Sequence, residues 1–420
     1  MQRKAIDVII VGAGIAGLTA AKLAKQKGKT VLLIDAADGV GGRVRTDQKD
    51  GFLLDRGFQV LLTSYPTVQK ILNYQQLDLS AFKPGALIHK GNKKYRIADP
   101  LRDPKLLFTT LFSPVGTLKD KLLLLQLKIK LKFTSVDEIF KNKETTTYQY
   151  LQRVGFSTKF VENFFRPFFS GIFLEQGLTT SSRLFEFLFK MFSEGAAAVP
   201  AKGMGMISAQ LAEDLLVDEL LLNEKVTAID GTTVTTQSGK LFTAKAIIVA
   251  TDAANFPFPK AISQKGKSAI TLYFSAPFIK EPSERIALNA NQGEYIRNIA
   301  IMDHISPAYA PKGKSLVAVS LNTDLSLQTE QIETQTRTEL VNWYPASADW
   351  KLLAIYAIPY ALPKNESVKY TSTAADIQWS EHCYVCGDHL LYGSINAAMD
   401  SAINAAEMML AHSFNHNEHE

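Results

Sequence analysis

The 420-residue sequence predicts an α/β fold in two parts: a mixed, mostly parallel sheet with a β-meander, and an antiparallel sheet with a helical insertion. Three observations predict this. A glycine-rich strand-turn-helix unit surrounds residue 12, a glycine-poor stretch rich in Leu and Phe covers about residues 84–206, and alternating apolar segments recur over 268–361. With 46% hydrophobic residues, a chain of this length can bury a large core.

The chain begins with a predicted strand, a glycine turn and a helix. Residues 7–11 are a short, mostly β-branched run that predicts a buried strand, and residues 15–27 place apolar side chains on one helical face. Between them, Gly12 permits a tight turn, Gly14 lets the backbone approach a pyrophosphate, and Gly17 lets the helix pack closely on the strand. The positive end of that helix then faces the phosphate.

The second predicted strand, residues 30–34, ends at Asp35. This acid follows Gly17 by eighteen residues, which is close to the spacing of about 20 for the ribose-binding acid of dinucleotide sites. A carboxylate accepts a hydrogen bond from a ribose 2′-hydroxyl and repels a 2′-phosphate. The unit therefore predicts NAD or FAD and disfavours NADP.

A glycine-rich loop, residues 38–47, comes next. Its paired glycines leave the backbone bare, and Arg43 directly after them can make a charge-assisted fork to a phosphate. The alternative interpretation is an ordinary surface turn with solvated arginines. Residues 51–62 then alternate like a strand and a turn, with Gly57 where the backbone can pass a flat ligand.

The stretch from 84 to 206 predicts a mostly helical insertion, because Leu and Phe recur there at helical spacing. One segment, 119–133 (KDKLLLLQLKIKLKF), is basic and amphipathic. Such a helix either lies on a membrane surface or packs on the core with its lysines extended to water, and both interpretations stay open. The predicted helices cover residues 105–112, 120–133, 148–154, 160–168 and 181–192.

Residues 220–250 predict a meander with hairpin turns at residues 230–231 and 238–239. Within it, residues 246–250 are apolar throughout and predict a buried parallel strand that returns to the first sheet. The last elements are a strand over 383–386, a Gly-Asp turn and a helix with Ser394 as its N-cap. The two cysteines at the ends of that strand point to opposite faces, so we expect both to be buried and unpaired.

The composition excludes several classes of protein. The net charge of +5 is mild, and the basic residues form no nucleic-acid motif. No apolar stretch reaches the roughly 18 residues of a membrane span, and two cysteines cannot build a disulfide framework. We expect a cytoplasmic protein without a nucleic-acid partner, with segment 119–133 as the candidate for peripheral membrane contact.

Five motifs in order resemble the superfamily of flavin-containing amine oxidases, phytoene desaturases and protoporphyrinogen oxidases, over nearly the whole chain. The resemblance implies an FAD-dependent oxidoreductase that holds FAD non-covalently in a Rossmann-type FAD-binding domain. The remaining segments then form a substrate domain of antiparallel sheet and helical insertion. The motifs are VIIVGAGIAGLTAA at 8–21, GGRVRT at 41–46 after Asp35, PAKGMG at 200–205, Val226 before the meander, and CGDHLLYGSINAAMDSA at 386–402.

The resemblance also implies how the chain is divided. We expect a discontinuous FAD-binding domain, a substrate domain in which the helical insertion and the second sheet form a lid, and a flexible tail. Their bounds are 1–83, 200–261 and 375–413 for the first, 84–199 and 262–374 for the second, and 414–420 for the tail.

In this resemblance the first unit holds the ADP part of FAD, Arg43 approaches the phosphates, and Val226 contacts the adenine through its backbone. The Gly387-Asp388 turn meets the ribityl and pyrophosphate region. The last helix points its start at the flavin ring, where its positive end would stabilise negative charge near N1. The predicted cofactor contacts are Gly12, Gly14, Ile15, Ala16, Gly17, Asp35, Ala36, Gly42, Arg43, Arg56, Gly57, Phe58, Gln59, Val226, Gly387, Asp388, Ser394, Ile395 and Asn396.

Two departures from the amine oxidases favour another substrate. Ala269 stands where those enzymes usually carry a lysine, with Lys267 two residues away, and Ser394 stands where they often place an aromatic. The GSINAAMDSA motif and the Phe-rich residues 162–174 resemble the desaturases more. We therefore expect removal of a hydride from a hydrophobic, polyene-like molecule, with electrons passed to oxygen, a quinone or another carrier.

Three alternatives stay open: amine oxidation, porphyrinogen-type oxidation, and a flavin-binding scaffold without turnover. The sequence predicts no metal site and no particular catalytic side chain. Arg166, Gln59 and Tyr392 are candidate polar groups along a substrate path.

Overall fold

The computed structural model describes residues 5–91, 93–97, 114–252, 266–281, 283–291, 293–322 and 328–414. Its strands are β1 (Ile6–Val11), β2 (Val31–Ile34), β3 (Thr46–Lys49), β4 (Phe52–Asp55), β5 (Leu61–Leu62), β6 (Leu79–Ala81), β7 (Ala86–Lys90), β8 (Lys93–Ile97), β9 (Ala197–Pro200), β10 (Leu220–Leu221), β11 (Val226–Asp230), β12 (Thr233–Thr236), β13 (Leu241–Val249), β14 (Gly266–Pro277), β15 (Ala287–Asn289), β16 (Ile296–Ile301), β17 (Lys314–Leu321), β18 (Lys351–Pro363), β19 (Gln378–Ser380) and β20 (Cys383–Val385).

A π-helical turn, Val161–Phe165, joins two of the helices of the insertion. The helices are α1 (Ile15–Gln26), α2 (Pro66–Ile71), α3 (Tyr74–Leu77), α4 (Leu118–Phe133), α5 (Val136–Lys141), α6 (Thr147–Val154), α7 (Thr158–Phe160), α8 (Arg166–Phe173), α9 (Ser182–Glu194), α10 (Gly205–Ala212), α11 (Thr329–Trp343), α12 (Ala374–Ile377) and α13 (Ile395–Phe414).

The first sheet is a parallel core extended by a meander. Its strands run in the order β10-β2-β1-β13-β12-β11, and β20 pairs with both β13 and β19. β1 pairs in parallel with β2 and β13, whereas β12 pairs antiparallel with β11 and β13. Residues 246–249 of the predicted strand 246–250 form the last part of β13, so its predicted return to the first sheet is confirmed.

The second sheet has the order β18-β14-β17-β16-β15-β7-β8. Its neighbouring strands are antiparallel except β7 and β15, which run parallel. β7 and β8 lie inside the stretch that the sequence predicted as mostly helical, so that prediction is wrong for residues 86–90 and 93–97. The hairpin of β7 and β8 turns at Gly91, which has a positive φ of 57°. The second partner of β7 is β15, about 200 residues later in the chain, so the local sequence pattern does not indicate this pairing.

The helices of the insertion follow the predicted ones with shifted bounds. α4 begins at Leu118, because Thr117 and Asp120 form a reciprocal capping box at its start. The predicted helix 160–168 is instead α7, the π-helical turn and α8. The predicted helix 105–112 and residues 415–420 of the predicted tail lie outside the described residues.

The cores confirm the predicted α/β class and the predicted burial of both cysteines. Cys383 packs with apolar residues on one face of the first sheet, and Cys386 packs in the large core on the other side. Both thiols are free, and burial raises the pKa of each to about 12. Within the described ranges, no helix combines the length and apolar character needed to cross a membrane.

Candidate active site

A cavity of about 1290 Å³ lies at the carboxyl ends of β1 and β2 and extends to the second sheet and the insertion helices. Ligand pockets usually measure about 300–1,000 Å³, so this space can hold a large cofactor together with a substrate. The carboxyl ends of parallel strands are also where α/β sheets bind ligands. Its walls include Gly12, Gly14, Ile15, Ala16, Asp35, Ala36, Gly42, Arg43, Gly57, Phe58, Gln59, Val226, Gly387, Asp388, Ser394 and Ile395, all of them predicted cofactor contacts.

The glycine turn between β1 and α1 shows why each glycine stands where it does. A Cβ on Gly17 would lie 1.9 Å from the Gly12 carbonyl oxygen, so only glycine lets α1 sit on the turn. Gly12 has a φ of 105°, and its Cβ would meet the Ala250 carbonyl oxygen at 2.9 Å. A Cβ on Gly14 would meet no atom within 4 Å, so this position faces open space in the cavity.

Asp35 follows β2 and its carboxylate is held by the backbone around it. One oxygen accepts the Ala13 N–H at 2.5 Å and the other accepts the Ala37 N–H at 2.7 Å. Each carboxylate oxygen has a further lone pair. The acid is therefore fixed in place and still able to accept a hydroxyl hydrogen from the cavity.

Arg43 and Asp388 join two distant segments across the cavity. The guanidinium makes a bidentate pair with the carboxylate, with nitrogen to oxygen distances of 2.7 and 3.0 Å, and it also donates to the Ala361 carbonyl at 2.9 Å. Burial by itself would lower the pKa of Arg43, but the Asp388 charge and its hydrogen bonds raise it. Such a fork is the geometry with which arginine also binds phosphate.

The last helix begins at the cavity wall. The Ser394 hydroxyl accepts the Ala397 N–H at 3.0 Å, which confirms the predicted N-cap. Gly393, Ser394 and Ile395 line the cavity. The positive end of the α13 dipole therefore faces the enclosed space.

Three predicted contacts lie outside the cavity lining. Gly17 packs against the turn, as its short approach to Gly12 shows. Arg56 pairs with Asp47 at 3.0 Å. Asn396 is fully buried, where it accepts the Thr67 N–H and donates to Asp400.

Of the three polar groups named as substrate candidates, one lines the cavity. Gln59 does, and its amide nitrogen donates to the Arg43 carbonyl at 2.8 Å. Arg166 instead pairs with Glu162 at 2.7 Å, outside the lining. Tyr392 is 1% exposed and accepts a hydrogen bond from Asn396, also outside the lining.

Away from the glycine turn, the cavity wall is mostly aromatic and aliphatic. The Phe-rich stretch serves both as core and as wall, since Phe165 is fully buried whereas Phe164 and Phe168 line the cavity. The apolar wall residues from the π-helical turn, α8 and α9 are Phe164, Phe168, Phe169, Ile172, Phe173, Leu184, Leu188, Phe189 and Phe192. This end of the cavity suits an apolar ligand.

The second sheet contributes polar wall residues that the sequence did not suggest. Arg297 and Asn298 of β16 and Ser320 of β17 line the cavity. An arginine inside the otherwise apolar run IRNIAI is the signal that could have identified them. Ala269 also lines the cavity, whereas Lys267 lies outside the lining and is held by Glu175 at 3.4 Å and Thr180 at 3.2 Å.

The sequence model of the family described as flavin containing amine oxidoreductase matches residues 15–410. This chain belongs to that family. It is an oxidoreductase, and its cofactor is FAD. The resemblance of the motifs is thereby confirmed.

Curated relatives match in short segments. The chain is 36% identical over 70 residues to a 15-cis-phytoene desaturase of an Oncidium hybrid cultivar, which covers 16% of this chain and 12% of that protein. It is 33% identical over 78 residues to a coproporphyrinogen III oxidase of Propionibacterium freudenreichii subsp. freudenreichii, which covers 19% of this chain and 15% of that one. The matches thus span less than a fifth of either relative.

Solved structures match over nearly the whole chain. A putrescine oxidase bound to putrescine superposes with a TM-score of 0.69 and 16% identity, over 97% of this chain and 99% of that one. The oxidoreductase therefore has the fold of that enzyme.

Proposed function

We propose that this FAD-dependent oxidoreductase removes a hydride from a hydrophobic small molecule, in a dehydrogenation of the phytoene desaturase type. The observation that carries the proposal is the continuity of the cavity, whose glycine-lined and phenylalanine-lined ends are one space. Bound FAD would supply the acceptor for the hydride, a proton from the neighbouring carbon would pass to water at the opening of the cavity, and the electrons would later pass to oxygen, a quinone or another carrier. The apolar walls align the C–H bond and exclude water.

The residues present fit FAD. The open space at Gly14 beside the start of α1 suits a pyrophosphate, the Asp35 carboxylate suits a ribose hydroxyl, and the start of α13 suits the flavin ring. In this assignment Arg43 and Asp388 exchange part of their mutual pairing for contacts with the cofactor. The three predicted contacts outside the lining stabilise the residues that form the site. They are Gly17, Arg56 and Asn396.

The same assignment divides the chain into the two domains expected from the motifs. Residues 1–83, 200–261 and 375–413 hold FAD, and residues 84–199 and 262–374 shape the access of substrate. The Phe-lined wall contributed by α8 and α9 supports this division.

Two observations weigh against amine oxidation. The lining position at Ala269 has no amino group, and Lys267 is held away by Glu175 and Thr180. Ser394 caps α13 and adds no aromatic face to the cavity. Porphyrinogen-type oxidation is the second candidate, favoured by the similarity to a coproporphyrinogen III oxidase.

Anaerobic mixing of the holoenzyme with a polyene, a porphyrinogen and an amine tests the proposal. We expect the polyene to bleach the flavin absorption, because without oxygen the reduced flavin accumulates when a substrate gives up a hydride. Bleaching by the amine or the porphyrinogen alone would replace the proposal with that activity. Bleaching by none of the three would favour a flavin-binding scaffold without turnover.

We further propose that α4 contacts a membrane surface at the opening of the cavity. Its inner face packs on α9 through Leu127 and Leu131, which are buried. Its outer face is an exposed apolar stripe flanked by lysines, and its first members also line the cavity, so the stripe lies at the opening. The stripe consists of Leu118, Leu122, Leu125, Ile129 and Phe133.

Co-sedimentation with vesicles of phosphatidylcholine and phosphatidylglycerol tests this contact. The variant changes Leu122, Leu125 and Ile129 to Ser, because these side chains are exposed and their loss should spare the core. The matched control changes Leu216 and Val217, which are 61% and 94% exposed, to Ser. We expect the wild type and the control to sediment and the α4 variant to stay in solution. A wild type that stays in solution would refute the contact.

A further inference from the structure

The wall of the cavity contains a buried arginine without an ionic partner. Arg297 on β16 is 7% exposed, and its Nε donates to the Asn322 Oδ1 at 2.8 Å. Across the described ranges, no carboxylate forms an ion pair with Arg297, and its two terminal nitrogens have no hydrogen-bond acceptor. A guanidinium carries five N–H donors in a planar fork. Most of the N–H donors of Arg297 are therefore available to a ligand in the cavity that it lines.

A β-bulge explains how Arg297 reaches the cavity beside its neighbour Asn298. In the pairing of β16 with β17, Ile296 stands opposite Leu321 and Asn298 opposite Ser320, so Arg297 is the extra residue. A bulge breaks the alternation of side chains and redirects one of them. Both Arg297 and Asn298 therefore line the same space.

The burial of the Arg297 charge is unfavourable for folding. A buried charge that is neither paired nor solvated is unfavourable for folding. Burial lowers the pKa of Arg297 to about 10, so the side chain is still a cation at neutral pH. Arg297 is thus a destabilising charge in the free protein. Its guanidinium faces the cavity, where a bound anion could neutralise it.

The carboxylates of the cavity lining are confined to one part of it. They lie in the segments assigned to FAD, whereas the insertion helices and the second sheet contribute only cations in the part of the chain that the structure describes. Lys83, at the edge of the insertion, is paired with Glu284. The insertion helices and the second sheet contribute Lys121, Lys128 and Arg297, whereas the segments assigned to FAD contribute both cations, Arg43 and Lys225, and the carboxylates Asp35, Glu224, Asp252 and Asp388.

We propose that Arg297 binds the carboxylate of an otherwise apolar substrate, which makes the substrate class a long-chain or polyene carboxylic acid. This inference rests on the proposed function, which puts the reacting C–H bond in the same cavity. The Asn298 side chain adds a neutral polar contact. Gly171 of α8 lies directly beside this pair, since a Cβ there would be in ordinary contact with the Asn298 Oδ1 at 3.4 Å and the Arg297 Cδ at 3.7 Å.

Head-group preference is measured on the holoenzyme by perturbation of the flavin absorption at equilibrium. The probes are dodecanoate, 1-dodecanol, dodecylamine and dodecyl phosphate, which share one apolar chain. We expect dodecanoate to bind about 10- to 100-fold more tightly than the alcohol, the range for hydrogen bonds to a charged group. The amine should bind most weakly, because the nearby charges are cations. A dodecyl phosphate that binds more tightly than dodecanoate would overturn the choice of a carboxylate.

Two variants and a control attribute the preference to Arg297. Arg297→Met should bind dodecanoate no better than the alcohol, and Arg297→Lys should keep part of the preference because it keeps the charge. The control Arg153→Met removes an exposed arginine on α6 outside the lining and should behave as wild type. Dodecanoate should raise the Tm of the wild type and leave that of Arg297→Met unchanged.

A merely structural arginine would give a different result. Arg297→Met should melt no lower than wild type without ligand, because it removes a buried unpaired charge. A large fall in its Tm, or equal binding of dodecanoate and dodecanol by the wild type, would overturn the inference and leave the proposed function standing. Failure of every apolar probe to bind would overturn both.

Discussion

Replacing Gly14 by alanine separates the cofactor site from the fold. Gly14 is the N-cap of α1 with φ −73° and ψ −179°, a conformation that alanine adopts without strain. A Cβ built there meets no atom within 4 Å and points into the cavity. The apoprotein should therefore fold as before, with a free energy of unfolding within about 0.5 kcal/mol of wild type.

Binding of FAD should change far more than folding. The methyl group occupies the space in which a pyrophosphate approaches the backbone N–H groups at the start of α1. Loss of one charge-assisted hydrogen bond there is worth roughly 1.5–3 kcal/mol, which is about a ten- to hundred-fold rise in the Kd for FAD. Titration of the apoprotein with FAD, followed by quenching of flavin fluorescence, measures it.

Gly17→Ala is the contrasting variant. Its Cβ would lie 1.9 Å from the Gly12 carbonyl oxygen, so α1 has to move away from the turn and the apoprotein itself should lose stability. Gly14→Ala with the wild-type Kd for FAD would refute the assignment of the pyrophosphate to this turn. An apo Gly14→Ala that melts as low as apo Gly17→Ala would refute the steric reasoning.

Three further predictions follow from the same site and its surroundings. Asp35→Ala and Arg43→Ala should each raise the Kd for FAD about ten- to hundred-fold through lost charge-assisted hydrogen bonds; full flavin occupancy of both at limiting FAD would contradict their roles. Heat or acid should release the flavin from the chain, because neither cysteine lines the cavity, and flavin that stays on the denatured chain would contradict this. Burial raises the pKa of Asp55 to about 6, above the unfolded value of about 3.9. The folded protein therefore binds this proton more tightly than the unfolded chain does. The resulting contribution to the free energy of unfolding is complete below pH ~4 and is lost as the pH rises through about 6. Relative to Asp55→Asn, the free energy of unfolding of the wild type should fall by about 3 kcal/mol between pH ~4 and pH ~7 in urea titrations; a difference that does not vary with pH would show that Asp55 has an ordinary pKa.

The parts of the site that local sequence determines could be predicted. A turn of three glycines between a β-branched strand and a helix has few solutions, so the roles of Gly12 and Gly17 could be read from their spacing. The position of Asp35 after β2 and the cap at Ser394 are local in the same sense. Each of these features depends on residues within about one element of its own position.

Features that depend on distant partners could not be predicted in the same way. Arg43 and Asp388 are 345 positions apart, and their pairing exists only because β20 docks beside β13. β7 and β8 join the second sheet through β15, which the Leu- and Phe-rich pattern around them does not indicate. Strict alternation would place Arg297 and Asn298 on opposite faces, and only the register of β16 against β17 reveals the bulge.

The proposed contact of Arg297 with a carboxylate and the proposed membrane contact of α4 together predict how the substrate lies in the cavity. Arg297 is deep in the wall, whereas Leu118 is 60% exposed and lines the same cavity at its opening. With its carboxylate held by Arg297, we expect the apolar chain to extend along the cavity toward α4, whose first residues line the same space. We therefore expect such a molecule to enter with its head group first, past the lining residues Lys121 and Lys128. Under this proposal the Arg297 cation would also disfavour an amine at the same place, in a chain that has the fold of a putrescine oxidase.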